Sequence, residues 1–289
     1  MGWDEALLLW CGVWGVVALA GFGMSVAGVT REQRTVRLVG RIVRVRVPVH
    51  GGSRAGGVSV VVSYRDPVSG REVTVTNDGE RGDTVVVAWV GREIGVAHLR
   101  GRPHAYRFTG VPLEPGRGLF LPGVAVFLVY AGLVALAAVA WGWPWALVGL
   151  GGPWAVFGTA HLPGAVRAKD RRVERLAAMD TVPGKVVAVL KDVTVDQDDG
   201  HTATTLTPVI EFTTREGTAV TAYCTTHLPD PAHAHGRDLT VHYTPTDPAD
   251  FTLNPTADQH AAHREMIFDL TVSATLVTAL ITGVTLLLL

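Results

Sequence analysis

The chain is poor in the residue types on which most functional signatures depend. It has two cysteines in 289 residues, and only 18% of its side chains are charged. Two cysteines cannot build the disulfide framework of a small secreted domain. Cys11 lies in an apolar run and Cys224 in a polar one, so no bond between them is expected. Lysine is almost missing: Lys169, Lys185 and Lys191 are the only ones, and arginine makes up the rest of the 25 basic residues. Against 26 acidic residues this leaves a net charge of −1, without the basic surplus that a nucleic-acid surface needs, and no nucleic acid is expected as a partner. No G-x-S-x-G, P-loop, H-E-x-x-H or glycine-rich dinucleotide pattern occurs, so neither an enzyme nor a cofactor is expected.

What the chain has is hydrophobic blocks. Residues of apolar type make up 48% of it, with a mean hydropathy of +0.28. A bilayer crossing needs about 20 apolar residues in a helix. Ala6–Thr30 supplies the first, and Asp4 and Glu5 before it are unlike the basic start of a cleaved signal peptide, so it is expected to stay. Between Arg117 and Arg167 no charged side chain occurs, and the interval is too long for one crossing. Trp141-Gly142-Trp143-Pro144-Trp145 reads as the turn inside it, because proline disfavours continuation and tryptophan favours the headgroup level. Leu119–Trp141 and Trp145–Leu162 then form a helical hairpin, with His161 interfacial near its end. Ile267–Leu289 is the last crossing, with Asp269 at the interface.

The expected architecture is therefore a membrane α-helical plus β protein, with transmembrane helices at 6–30, 119–141, 145–162 and 267–289. Two small antiparallel β-domains are inserted, one at 31–117 between helices 1 and 2 and one at 163–266 between helices 3 and 4, its core at 181–254. All 25 basic residues fall in those two inserts. The positive-inside rule places both in the cytoplasm and both termini outside.

Alternation in the inserts marks strands. Val43, Val45 and Val47 alternate with Arg44 and Arg46, so the three valines are expected on one face of a strand over 35–47. Val58–Tyr64 and Glu72–Thr76 are β-branched runs joined by Asp66-Pro67-Val68-Ser69-Gly70, and should pair as a hairpin. Thr84–Val90 is another expected strand. In the second insert a short helix is expected over Asp170–Asp180, then strands at Lys185–Val195, Val209–Thr213, Thr218–Tyr223 and Leu239–Tyr243.

The inserts resemble one another. Val39-Gly40-Arg41-Ile42-Val43 matches Pro183-Gly184-Lys185-Val186-Val187, Ser69–Val73 matches Glu216–Val220, and Gly82–Trp89 matches Gly236–Tyr243. The chain thus reads as a tandem repeat of span, β-domain and span. The second copy, with Gly184-Lys185-Val186-Val187, the hairpin around Glu216-Gly217, and Val241-His242-Tyr243-Thr244-Pro245-Thr246-Asp247-Pro248, resembles domain-of-unknown-function family 3592. The resemblance implies a small bacterial β-rich module beside membrane spans and no activity. The first copy keeps the glycines and strands but has Trp89-Val90-Gly91 where the tyrosine and proline would fall.

Cys224, His227, His233 and His235, with His242 nearby, carry the donor types that zinc prefers. Their spacing, one C-x-x-H and one H-x-H, is poor for a structural site, and Pro229, Pro231 and Gly236 mark an exposed loop, so no metal is expected. Asp196-Gln197-Asp198-Asp199-Gly200 has its glycine in a ligand position of a calcium loop and no Glu at the twelfth, and reads as a hairpin loop. The first insert carries fifteen basic and eight acidic residues, the second ten and fifteen, so contact between the two β-domains is expected beside the bilayer itself. Function reduces to two classes: a non-catalytic membrane-anchored binding or scaffold protein, or an accessory subunit of a transporter or membrane enzyme. Either implies a membrane or cytoplasmic protein partner.

Overall fold

A computed structural model describes residues 2–30, 32–53, 58–67, 70–77, 85–100, 106–109, 117–195, 202–224 and 228–289. The chain forms two compact units. Met1–Arg34, Gly116–Glu174 and Gln259–Leu289 make a helical unit, and Thr35–Pro115 with Arg175–Asp258 make a β unit. The two inserts are therefore parts of one unit rather than two separate domains.

In the helical unit, α1 (Trp3–Val26), α2 (Phe120–Trp141) and α4 (Pro255–Leu288) are long and apolar enough to cross a membrane. The expected span at 145–162 does not reach that standard. It is the first half of a 34-residue helix, α3 (Pro144–Ala177), which contains Pro153 and Pro163 and runs on through the basic residues up to Arg175. The interval is free of charge but not strongly apolar: four glycines, Pro153, Thr159 and His161 dilute it. The separate helix expected over Asp170–Asp180 is the end of α3. The turn falls where tryptophan and proline put it: Gly142, at φ +104°, closes α2, and Pro144 opens α3. α4 starts a dozen residues before its apolar part, capped by the Asn254 carboxamide, which accepts the Ala257 N–H at 3.1 Å.

Glycines lie where these helices touch. A Cβ on Gly21 of α1 would come 2.6 Å from Pro122 of α2, and one on Gly132 of α2 would come 2.6 Å from Cys11 Sγ. Gly149 of α3 faces Val134 of α2, and the Tyr130 hydroxyl donates to the Gly149 carbonyl. Gly151 and Gly158 of α3 face Leu280 and Ser273 of α4, and Gly283 of α4 faces Leu147 and Val148. Small residues let backbones approach closely where lipid offers no hydrophobic gain for association.

The β unit contains two antiparallel sheets. The first has the order β3-β2-β1-β5-β6, from β1 (Thr35–Arg46), β2 (Ser59–Arg65), β3 (Glu72–Thr76), β5 (Glu93–Leu99) and β6 (Tyr106–Thr109). The second has the order β11-β10-β7-β8-β9-β4, from β7 (Asp180–Val195), β8 (Thr202–Thr213), β9 (Ala219–Tyr223), β10 (Asp238–Thr244), β11 (Asp247–Thr252) and the two-residue β4 (Val87–Ala88). The first sheet curls enough for the Tyr106 hydroxyl on one edge to donate to the Thr76 carbonyl on the other.

Three features join the sheets. β4, from the first insert, pairs with β9 through Val87↔Ala222 and Ala88↔Thr221. The β1–β2 loop lies along β7, where Gly51 N–H donates to the Val189 carbonyl and Lys191 N–H to the Gly52 carbonyl, both at 2.9 Å. One apolar core takes Ile42, Val60, Val62, Ile94 and Val96 from the first insert and Ala188, Leu190, Val209 and Tyr223 from the second. A second core, on the other face of the second sheet, gathers Val186, Ile210, Phe212, Val220 and Val241.

Apart from β4 the sheets have the same order, β3-β2-β1-β5-β6 corresponding to β9-β8-β7-β10-β11. Their registers coincide as well. Arg41↔Glu93 with Arg41↔Ser63 in the first is Lys185↔Asp238 with Lys185↔Glu211 in the second. Each long strand carries a bulge at the same place, at Val43 and at Val187. This corrects two expectations. The bulge leaves Val43 47% exposed and turns Ile42 inward, because an extra residue inverts the alternation. The strand corresponding to β10 is β5, so Gly91-Arg92-Glu93-Ile94 aligns with Gly236-Arg237-Asp238-Leu239, not Gly82–Trp89. Of the strand expected over Thr84–Val90 only Val87–Ala88 is strand, and Thr84 lies outside the described residues.

Candidate functional site

The sequence singled out one cysteine and several histidines, and the fold distributes them. Cys224 follows β9, 7% exposed within the second core, and its backbone N–H donates to the Pro208 carbonyl at 2.8 Å. His233 sits on a one-turn 3-10 helix (Pro231–His233), exposed, with Nδ1 3.0 Å from the Asp230 carboxylate. The His235 ring meets that of His50 edge to face, centroids 4.1 Å apart. Nδ1 of His50 accepts the Val189 N–H at 3.0 Å, which puts its proton on Nε2 and leaves that nitrogen no lone pair for a metal. His242 Nδ1 lies 3.1 Å from the Thr181 hydroxyl. His227 and Asp196–Gly200 lie outside the described residues. Among the described residues no three His, Cys, Asp or Glu side chains gather as a metal site would require.

Several charged side chains of the β unit make contacts within it. Arg41 approaches Glu93 at 3.8 Å, the Ser63 hydroxyl donates to Glu72, and Arg65 Nε donates to the Gly70 carbonyl. These side chains border a shallow groove of about 540 Å³ on the outer face of the first sheet. Arg92 lies over the Trp89 ring, 4.9 Å from its centroid, and donates to the Val87 carbonyl, bracing β4. Burial pulls its guanidinium below the ordinary value, against the opposing effect of Asp247. The Glu216 carboxyl is held below its usual range, first by a hydrogen bond from its own backbone N–H and then by the Thr214 hydroxyl. None of these pairs a nucleophile with a base.

The helical unit has a groove of about 450 Å³ between α3 and α4. One wall is an aromatic run on α3: Trp154 and Phe157 meet edge to face at 5.9 Å, and Phe157 lies 3.9 Å from the His161 ring. Gly158 forms the floor, since a Cβ there would come 2.9 Å from Ser273 Oγ. Phe268, Val272 and Leu276 complete it from α4, and Asp269 lines it with His161. His161 Nδ1–H donates to the Phe157 carbonyl at 3.2 Å, so Nε2 is left as an acceptor. The groove can take an apolar chain or helix along its aromatic side and a hydrogen-bond donor at the His161 and Asp269 end.

Sequence reasoning noted His161 and Asp269 separately, as interfacial residues, and missed that they share a groove. The available signal was depth: each lies about one to two turns inside the nearest basic residue, Arg167 on one helix and Arg264 on the other. Antiparallel packing of α3 and α4, with Gly158 on Ser273 and Gly151 on Leu280, brings equal depths together. No protein-family model, no curated protein and no solved structure matches the chain.

Proposed function

We propose that the chain is a non-catalytic, multi-pass membrane protein whose β unit serves as a rigid binding or scaffold body. The observation that carries this reading is the shared core: two sheets of the same strand order apart from β4, drawn from separate inserts, are fused into one body. A body of that kind offers shape, strand edges and paired surface charge rather than reactive groups. Descent of both sheets from one duplicated module related to domain-of-unknown-function family 3592, in a bacterium, belongs to the same proposal and is supported by their common register and bulges.

The proposal includes four crossings. Both inserts belong to one unit, so the chain returns to the same side of the bilayer between Pro115 and Arg175, and crossings in that interval come in pairs. α2 is apolar enough for one, and α3 is the only other helix there among the described residues. Its low hydropathy is the composition of a helix lodged between two others through glycine. With the basic residues all on the β side, the β unit is cytoplasmic and the Trp-rich turn and both termini are outside. Cysteines placed at Val49 and at Trp143 in a chain lacking Cys11 and Cys224 test this in intact cells. A membrane-impermeant thiol reagent should label Trp143→Cys and spare Val49→Cys, and the reverse pattern sinks the orientation.

The groove between α3 and α4 favours a second reading, an accessory subunit that docks on a transporter or membrane enzyme. Photo-cross-linkers separate the two. Capture of a cytoplasmic protein from Val193, exposed on β7, supports the scaffold. Capture of an integral membrane protein from Phe268, with nothing from Val193, supports the accessory role instead.

A further inference from the structure

The first sheet hides two polar atoms that no described group satisfies. Tyr64 on β2 and His98 on β5 are 3% and 4% exposed, and both the Tyr64 hydroxyl and His98 Nε2 are buried without a hydrogen-bond partner. Their rings lie 6.5 Å apart on the inner face of the sheet. His98 Nδ1 is 3.1 Å from the Leu99 carbonyl, which can only accept, so Nδ1 carries the proton and Nε2 presents a lone pair. Leaving such a group unmet destabilises the fold.

The second sheet shows what the scaffold does when this place is closed. By register, Tyr64 corresponds to Phe212 and His98 to Tyr243, and the Phe212 and Tyr243 rings form the same pair at 5.9 Å. There the only polar atom is the Tyr243 hydroxyl. It accepts the Arg215 N–H at 2.9 Å and donates to Glu216 at 3.3 Å, both in the β8–β9 turn. Arg215 lies three residues after Phe212, and three residues after Tyr64 stands Pro67, which has no N–H to give. Compared with the second sheet, the first has a second polar atom, an imidazole in place of the phenol, and no N–H at the position of the donor.

We propose that Tyr64 Oη and His98 Nε2 form a binding site for one buried water molecule. The water donates one O–H to His98 Nε2 and accepts the Tyr64 O–H, tying β2 to β5 across β1. A neutral ligand is required because Val62, Ile94, Val96 and Phe108 share the cluster, and an ion there would be stranded in apolar surroundings. Water is the smallest neutral donor, and buried polar groups are commonly satisfied by it. Burial, first, and then Asp66 raise the Tyr64 phenol above its ordinary value, which keeps it protonated as the bridge demands.

A thermodynamic cycle on the full chain in detergent tests the site, read by thermal midpoint and by hydrogen exchange of the β2 and β5 amides. If water bridges the pair, Tyr64→Phe and His98→Phe should each lower the midpoint by several degrees and speed exchange in both strands. The double variant should then recover much of the loss, since removing both partners leaves nothing unmet. If the atoms are simply unsatisfied, each single substitution raises the midpoint and the two gains add, which overturns the proposal. A high-resolution structure of the unsubstituted chain decides the matter should a variant fail to fold: density for one water within hydrogen-bond reach of both atoms supports the site, and continuous apolar contact between the rings removes it.

Discussion

Two glycines occupy the same place in the two sheets and do the same work there. Gly40 on β1 lies opposite Ile94, and Gly184 on β7 lies opposite Leu239. A Cβ on Gly40 would come 2.6 Å from Val62 Cγ1 and 2.9 Å from Val96 Cγ2; one on Gly184 would come 2.7 Å from Val241 Cγ2. Both glycines make room for valines that close over the strand. Gly40→Ala and Gly184→Ala should each destabilise the β unit by about 1–3 kcal/mol through overpacking, measurable as a shift in denaturant midpoint with little change in slope. A neutral effect at either position would mean that the valines can turn aside. The sequence displayed both glycines in matching contexts, which made the correspondence legible. It could not display the bulge at Val43, because a bulge is a property of the pairing and leaves the alternation of Val43, Val45 and Val47 looking regular.

Strands were legible where a β-branched run ended in turn residues. β1, β2, β3 and β9 lie within a residue or two of their expected bounds because β-branched runs with turn residues at their ends admit few other readings. β5, β6 and β11 were missed. Glu93–Leu99 contains glycine, alanine and histidine and lacks a β-branched run, and β11 begins at Asp247-Pro248, a pair that reads as a turn. α3 failed for the opposite reason: its freedom from charge concealed how much of it is glycine and proline. Those glycines set its neighbours. Gly283 on α4 admits no side chain, since a Cβ would lie 2.9 Å from Leu147 Cβ and 3.2 Å from the Pro144 carbonyl. Gly283→Leu should therefore push α4 off the start of α3, lowering the melting temperature of the detergent-solubilised protein. Gly12→Leu on α1, where nothing lies within 4 Å, should have no such effect.

At the scale of the whole molecule, the separation into apolar and polar stretches was plain in composition, and the joining of the two inserts was not. The excess of basic residues in one and acidic residues in the other suggested contact. What holds them in this structure is a strand pair, a loop along β7 and an apolar core. The first insert alone leaves the inner face of its sheet without Ala188, Leu190, Val209 and Tyr223. Residues 35–115 produced by themselves should aggregate or remain without slow-exchanging amides, whereas the same residues tethered to 175–258 by a flexible linker should give a monodisperse folded protein. Protection of the first insert on its own would show that the shared core is dispensable.

The order of segments along the chain carries a consequence for biosynthesis. The first sheet is complete at Thr109, but the residues that cover it lie beyond α2 and α3, the last of them at Tyr223. At elongation rates of about 5–20 residues per second, a nascent chain holds that uncovered valine-rich face for on the order of ten seconds. Under the four-crossing proposal, the helical hairpin is handed to the membrane during that interval. On that proposal, any delay in the handover would prolong the time in which the half-made β unit is open to mispairing, so the supply of insertion machinery would limit the yield of a region that does not itself insert.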